Sequence, residues 1–495
     1  MEQTYDVIVI GAGPVGENAA GRAAATGLSV AVVEAELVGG ECSYWACIPS
    51  KTLLRPGAVR QAAAETPGVA DPGPVDAPAV LAWRDQMTGE GDDSGQESWL
   101  DSAGIALVRG HGRLVGERTV EVTPARTVDD DAPGEVHVLR ARCAVVVSTG
   151  SEVVVPPVPG LAEANPWTSR EATSAESVPE SLVVLGGGVV GCEMATVYAD
   201  LGSRVTLLAR SGLLGGAEPF AGRAVAESLR DAGVTVRIGV EAQEVSRPEP
   251  GGPVTVAVSG DDGPAQVSAA ELLVATGRRP RTGDVGLDSV GLTPGEPLEI
   301  DDTTAVAGVA PDPQGRPWLY ACGDVTGRVA TTHQGKYQAR VAGDVVATRY
   351  GPGDDPSADV PASGTGEWSR YAARADHGAQ TQAVFTRPQV AWVGPTERAA
   401  RAAGLPVRAV AYDLSAVAGA GVTSPDYTGR VQALVDTDRE VLVGVTFVGP
   451  DAGEMLHAAT IAVVGEVPLD RLWHAVPAFP TVSEVWLRLL EEYGL

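Results

Sequence analysis

One pattern constrains the fold of this chain more than any other, a glycine turn set between an apolar strand and a small-residue helix, and it occurs twice. The first copy is "DVIVIGAGPVGENAAGRAAATGLSVAVVEAE", with Gly11, Gly13 and Gly16 in the G-x-G-x-x-G positions. The second is "SLVVLGGGVVGCEMATVYADLGSRVTLLAR", with Gly186, Gly188 and Gly191 at the same spacing. In this context the glycines bring backbone close to a pyrophosphate, and the helix start offers free N–H groups and partial positive charge. The order strand, turn, helix, strand is that of a parallel α/β nucleotide unit, so two units predict two nucleotides.

The two copies end differently. Glu34 closes the strand of the first, at the distance where a carboxylate takes a ribose hydroxyl. The second ends on Ala209 and Arg210, with no acid in that place, and Arg210 suits a 2'-phosphate, which favours NADPH over NADH.

At 495 residues the chain exceeds one ordinary core, since domains run to roughly 100 to 200 residues. The net charge of -28 repels nucleic-acid phosphates and anionic lipid, which argues against a charge-driven role on either surface. The chain opens directly into the apolar stretch "YDVIVIGAG", without a basic leader or export segment, and no apolar run is long enough to cross a bilayer. A cytoplasmic protein with no membrane or nucleic-acid partner is expected. In that compartment stable disulfides are rare and a close cysteine pair is catalytic or metal-binding.

Further apolar strands ending in small residues lie at "VVVSTGSEVVVPPVPG" (145 to 160), "LLVATGRRP" (272 to 280) and "LYACGDVTG" (319 to 327). The first two close nucleotide units. "TGEGDDSGQE", residues 88 to 97, reads as a loop, and residues 350 to 375 read as a linker rich in Pro, Gly, Ser and Asp. From about 376 new strand signals begin, followed by "AGEMLHAATIAVV" and "TVSEVWLRLLEEY", which predict a separate α+β domain.

These segments, together with "GGECSYWACIPSK" at 39 to 51, Glu193 after the second glycine turn, and "PTVSE" near the C-terminus, resemble the flavin-dependent pyridine nucleotide-disulfide oxidoreductases. The resemblance runs over nearly the full length. It implies an α/β fold with two Rossmann-like dinucleotide-binding domains, for FAD and NAD(P)H, plus a C-terminal α+β dimerisation domain. The expected boundaries are 1–157 and 277–349 for FAD, 158–276 for NAD(P)H, 350–375 for the linker and 376–495 for dimerisation. A homodimer is implied. Gly150, Gly277 and Asp324 join the glycines, Glu34 and Arg210 as cofactor-binding positions, with Asp324 on the flavin ribitol chain.

The resemblance also implies that Cys42 and Cys47 form a redox-active pair, Cys47 next to the flavin and Cys42 outermost. Lys51 would face the flavin and pair with Glu193. Spacing agrees with a redox role over a staple. If residues 42 to 47 begin a helix, as in the family, Cα atoms five apart lie about 8.6 Å from each other. A disulfide needs roughly 4.4 to 6.8 Å, so the helix start must distort, which makes the bond easier to reduce. A metal site would need two further ligands, and Cys143, Cys192 and Cys322 sit in contexts that suit packing.

One position departs from the family pattern. The thiol-disulfide reductases carry H-P-T-x-S-E near the C-terminus, with a histidine serving as acid-base for the outer thiol. Here the segment is "AFPTVSE": Phe479 stands in place of the histidine, while Glu484, its orienting partner, remains. Phenylalanine cannot carry a proton, and such assistance is worth about 10² to 10⁴ in rate. His474, five residues earlier, is a candidate replacement. Tyr44 and Trp45, between the cysteines, with Phe479, suggest either a stacking pocket for a flat acceptor such as a quinone or an aromatic metabolite, or aromatic packing at the dimer interface. The expected activity is therefore NAD(P)H oxidation through FAD and the cysteine pair to a small-molecule acceptor other than lipoamide or glutathione. A lipoamide-type enzyme with another base, or a weakly catalytic flavoprotein subunit, are the alternatives.

Overall fold

A computed structural model describes residues 2–124, 135–260, 263–351 and 368–495. Most of the expected linker, residues 352 to 367 of 350–375, lies outside them. The chain divides into two compact units. The first comprises Met1–Ile48, Thr88–Glu152 and Arg278–Asp376; the second comprises Pro49–Met87, Val153–Gly277 and His377–Leu495.

The first unit is built on a seven-stranded sheet. Strands Ile105–Arg109, Val30–Glu34, Glu2–Ile10 and His137–Val147 run parallel in that spatial order, and Thr119–Thr123 and His111–Gly116 continue the sheet antiparallel. The short strand Leu319–Ala321 pairs parallel with the far end of His137–Val147. The opening strand shows why the sheet is covered on both faces. Val7 and Val9 pack with Ala19, Ala20, Ala23, Ala339 and Val345 of the helices Pro14–Ala24 and Thr332–Tyr350. Ile8 and Ile10, pointing the other way, pack with Leu114, Val120, Leu139 and Trp318. Small residues let the two helices approach closely, and the parallel strands end together beside the glycine turn.

The second unit holds three sheets. Thr235–Ile238, Arg204–Ala209, Ser181–Leu185 and Glu271–Val274 form a four-stranded parallel sheet. Val240–Ser246, Val254–Gly260 and Ala265–Ala269 form an antiparallel sheet of three. Thr381–Val384, Gln389–Val393, Val441–Gly449, Arg430–Asp436 and Val407–Asp413 form an antiparallel sheet of five, in that order. The helix Val189–Asp200 joins the four-stranded and five-stranded sheets: its Met194 and Val197 share one core with Leu182, Leu207, Val384, Val390 and Val448.

Residues 88 to 97 are not a loop throughout. Gly89–Gly91 is a 3-10 turn and a helix, Ser94–Ser102, starts inside the segment. The polar composition that reads as loop serves here as helix-start chemistry, with Asp92 accepting the Ser94 N–H at 2.8 Å and Asp93 at the cap position.

Candidate active site

The two glycine turns repeat one geometry. A Cβ added at Gly11 would lie 2.6 Å from the Ser148 carbonyl oxygen, and one at Gly186 would lie 2.2 Å from that of Ala275. Gly11 has φ of 98° and Gly186 of 119°, a backbone region that other residues avoid. The third glycines are as tight: a Cβ at Gly16 would meet Gly11 O at 1.9 Å, and one at Gly191 would meet Gly186 O at 2.0 Å. In each turn the middle glycine, Gly13 or Gly188, caps the following helix without a side-chain hydrogen bond. The helix starts are therefore bare of side chains, which fits a pyrophosphate.

Glu34 ends its strand and turns back over the first loop. Its Oε2 accepts the Ala12 N–H at 2.7 Å and its Oε1 accepts the Glu36 N–H at 2.8 Å. Burial nevertheless pushes its carboxyl upward, against both hydrogen bonds. Asp324 opens a 3-10 turn, and burial raises its pKa, while the Ser151 hydroxyl, donating to Oδ2 at 2.6 Å, and the charge of Arg278 oppose the rise. Arg278 in turn donates to Ser151 Oγ at 2.8 Å and to Glu41 Oε2 at 2.5 Å. A chain of contacts thus runs from Asp324 to Glu41, the residue before Cys42. In the second unit Gly277 has φ of 137°, and Arg210 is exposed just beyond its strand.

The cysteine segment breaks where the disulfide geometry requires a distortion. Cys42 lies in a short helix, Gly40–Tyr44, and Cys47 begins the next, Cys47–Glu65, with Trp45 at φ of -133° between them. No disulfide joins the two cysteines here. Thr332, first residue of the helix Thr332–Tyr350, places its Oγ1 3.3 Å from Cys42 Sγ and 3.4 Å from Cys47 Sγ. Cys42 also hydrogen-bonds Cys47; that bond, then burial and the charge of Cys47, push the Cys42 thiol well above the usual range. Thr332 and the positive charge of Lys336 pull it down. Cys192 and Cys322 are buried, and burial raises both thiols to about 12; Cys143 is half-buried.

In the second unit Lys51 Nζ donates to Glu193 Oε2 at 2.8 Å, and Glu193 Oε1 accepts the Phe385 N–H at 2.9 Å. The Glu193 side chain is 4% exposed and that of Lys51 35%. Lys51 also stands 5.1 Å above the Phe385 ring. Near the C-terminus, Glu484 Oε1 accepts from Arg488 Nη2 at 2.5 Å, while its Oε2 is buried without a hydrogen-bond partner among the described residues. Phe479 is 76% exposed and Val476 86%, and His474 is exposed. Among the described residues no group of three or more metal-ligating side chains comes together, and no helix is long and apolar enough to cross a membrane.

The family model described as pyridine nucleotide-disulphide oxidoreductase matches residues 5–339, and its dimerisation-domain model matches residues 381–489. The chain belongs to the pyridine nucleotide-disulphide oxidoreductase family. Members of this family are enzymes that use FAD and NAD(P)H. A dihydrolipoyl dehydrogenase from Thermus scotoductus is 30% identical over 491 residues, 97% of this chain and 96% of that protein. A mercuric reductase from Streptomyces lividans is 30% identical over 482 residues, covering 95% and 93%. Among solved structures, LpdA from Mycobacterium tuberculosis matches with a TM-score of 0.79 and 23% identity over 100% of both chains, which establishes the shared fold.

Thr332 lies outside the quoted motifs and meets the cysteine pair only in three dimensions. Ser151, Arg278 and Glu41 lie inside quoted segments, but nothing in those segments shows that they meet one another.

Proposed function

We propose that this chain is a cytoplasmic, homodimeric NAD(P)H oxidoreductase in which Cys42 and Cys47 open and close as a disulfide and hand electrons to a small acceptor of quinone type. The observation that carries the reading is the pair of sulfurs held on one hydroxyl, 3.3 and 3.4 Å from Thr332 Oγ1, and hydrogen-bonded to one another. Two thiols in contact on either side of a helix break are placed to bond without moving either helix far.

Gly11, Gly13, Gly16, Glu34, Gly150 and Asp324 are the residues that would hold FAD, and Gly186, Gly188, Gly191, Arg210 and Gly277 those that would hold NADPH. FAD, when bound, supplies the conversion of a nicotinamide hydride into two electrons for the disulfide. The chain's own part is to orient and to manage charge. Glu193 fixes the Lys51 ammonium beside the pair's helix, and the two opposite charges support each other.

The acceptor follows from Phe479. A disulfide substrate needs a proton delivered to its leaving sulfur, and an exposed phenyl ring delivers none. A quinone is reduced without such a leaving group, and the half-buried Trp45 ring offers a flat face, whereas Tyr44, expected beside it, is buried with its hydroxyl donating to the Val38 carbonyl. The relatives named dihydrolipoyl dehydrogenase favour a second reading, in which another group replaces the histidine. Anaerobic titration with NADPH and NADH, followed by turnover with lipoamide, glutathione disulfide and quinones, decides between them. Quinone turnover well above disulfide turnover is expected. Efficient lipoamide turnover overturns the acceptor assignment, and a cysteine pair indifferent to NADPH overturns the redox assignment itself.

A further inference from the structure

The contacts that run from Asp324 to Glu41 join two parts of the first unit with separate tasks. Ser151 and Arg278 begin neighbouring strands, Ser151–Val153 and Arg278–Pro280. Arg278 holds Ser151 twice, Nε donating to Oγ at 2.8 Å and Nη2 to the carbonyl oxygen at 2.7 Å, and the same Nη2 donates to Glu41 Oε2 at 2.5 Å. Because the Ser151 oxygen accepts from Arg278, its proton is turned toward Asp324 Oδ2, at 2.6 Å. Arg281 stands 3.9 Å from Glu41 Oε1, beyond hydrogen-bond reach. A planar guanidinium can serve the serine and the carboxylate together, whereas an ammonium is a single point of charge.

At the other end of these contacts Glu41 belongs to Gly40–Tyr44, a helix of five residues in which the Trp45 N–H donates to Glu41 O at 2.8 Å. So short a helix has little stability of its own, and its surroundings set its place. The segment is anchored upstream by the Gly39 N–H on Ala12 O at 2.8 Å and by the Tyr44 hydroxyl on Val38 O at 3.0 Å. Cys47 opens a helix of 19 residues, Cys47–Glu65, whose Leu53 and Leu54 are buried. A disulfide needs its two Cα atoms within roughly 4.4 to 6.8 Å. When the pair closes, the short helix is the piece that shifts, and Glu41 shifts with it.

We propose that Ser151, Arg278 and Glu41 form a clasp through which the state of the cysteine pair and the hold on FAD are coupled, with Arg278 as the positioning residue that joins them. The proposal rests on the reading of Cys42 and Cys47 as a pair that opens and closes, and of Asp324 as a residue that holds FAD. With the two thiols unbonded, the clasp is complete and Asp324 is fixed by Ser151. Closing the disulfide draws Glu41 away from Arg278, loosens Ser151 and weakens the seat at Asp324. Coupling between two sites is reciprocal, so FAD in place favours the open pair by the same factor.

The test compares FAD-loaded enzyme in the air-oxidised form with the same enzyme after a water-soluble phosphine. The phosphine cleaves the S–S bond, takes its oxygen from water and leaves two thiols, while the flavin stays oxidised. Thiol titration in denaturant reports the state of the pair, and free-flavin fluorescence on serial dilution reports FAD affinity. The dithiol form of the parent is expected to hold FAD about 5-fold more tightly than the disulfide form. Arg278→Met and Glu41→Met are each expected to bring that ratio to within about 2-fold of one. Arg278→Lys should lose the ratio as well, since it keeps the charge without the fork. In Cys42→Ser, phosphine should leave FAD affinity unchanged. Circular dichroism equal to the parent's shows that each variant is folded. A parent ratio of one overturns the proposal. So does a ratio retained in Arg278→Met or Glu41→Met, because a purely structural contact lowers FAD affinity equally in both forms; a ratio retained in Arg278→Lys overturns the role of the fork. Failure of the redox reading looks different: the thiol titre would not rise with phosphine.

Discussion

Replacing Lys51 by methionine isolates the cost of the buried charge at Glu193. The parent pair is separated by 2.8 Å, and the carboxylate side chain is 4% exposed. At an effective dielectric near 20, unit charges that close attract by about 6 kcal/mol before desolvation is counted. Stranding one member of a buried pair costs about 3 to 5 kcal/mol. Lys51 is 35% exposed, so solvent already screens it, and the expected loss falls to about 2 kcal/mol. Glu193→Gln keeps an acceptor for the Phe385 N–H, held at 2.9 Å, and should cost only about 1 kcal/mol. The double variant should then be more stable than Lys51→Met alone, because no charge is left buried. Denaturant midpoints of the FAD-saturated protein, read in parallel by circular dichroism and flavin fluorescence, measure this cycle. Independent, additive losses, or a Lys51→Met midpoint equal to the parent's, would refute the argument.

Three other outcomes are expected. Phe479→His should raise turnover with lipoamide or glutathione disulfide by about 10-fold or more, since Glu484 keeps a buried oxygen without a hydrogen-bond partner among the described residues to orient an imidazole; unchanged turnover and pH profile would count against it. Arg210→Ala should raise KM for NADPH by about 10-fold and leave NADH unaffected, as steady-state kinetics would show. Glu17, raised from 4.5 to about 7 in the fold, keeps its proton longer there than in the unfolded chain. Its contribution to stability is full below about pH 4.5 and is lost as pH rises through about 7, so thermal midpoints should decline across that window and Glu17→Gln should flatten the decline.

Much of this protein is written locally. Gly11 and Gly186 demand positive φ and closeness to another strand's carbonyl, a steric requirement that a short stretch of sequence states outright. The alternation of Val7 and Val9 with Ile8 and Ile10 announces a sheet covered on both faces. The close spacing of Cys42 and Cys47, and Phe479 in a histidine's place, are likewise legible by inspection. The polar run from 88 to 97 misleads, because the residues that favour loops also start helices, and Leu100 anchors this helix in the core.

What governs the thiols is decided elsewhere. Thr332 reaches the cysteine pair from 290 residues along the chain, and Glu41 meets Arg278 across 237. Steric and periodic rules act over one or two helical turns, so a single sequence displays them. The charge felt by a sulfur depends on distance through space, which exists only once the strands are paired and the helices Pro14–Ala24 and Thr332–Tyr350 lie side by side.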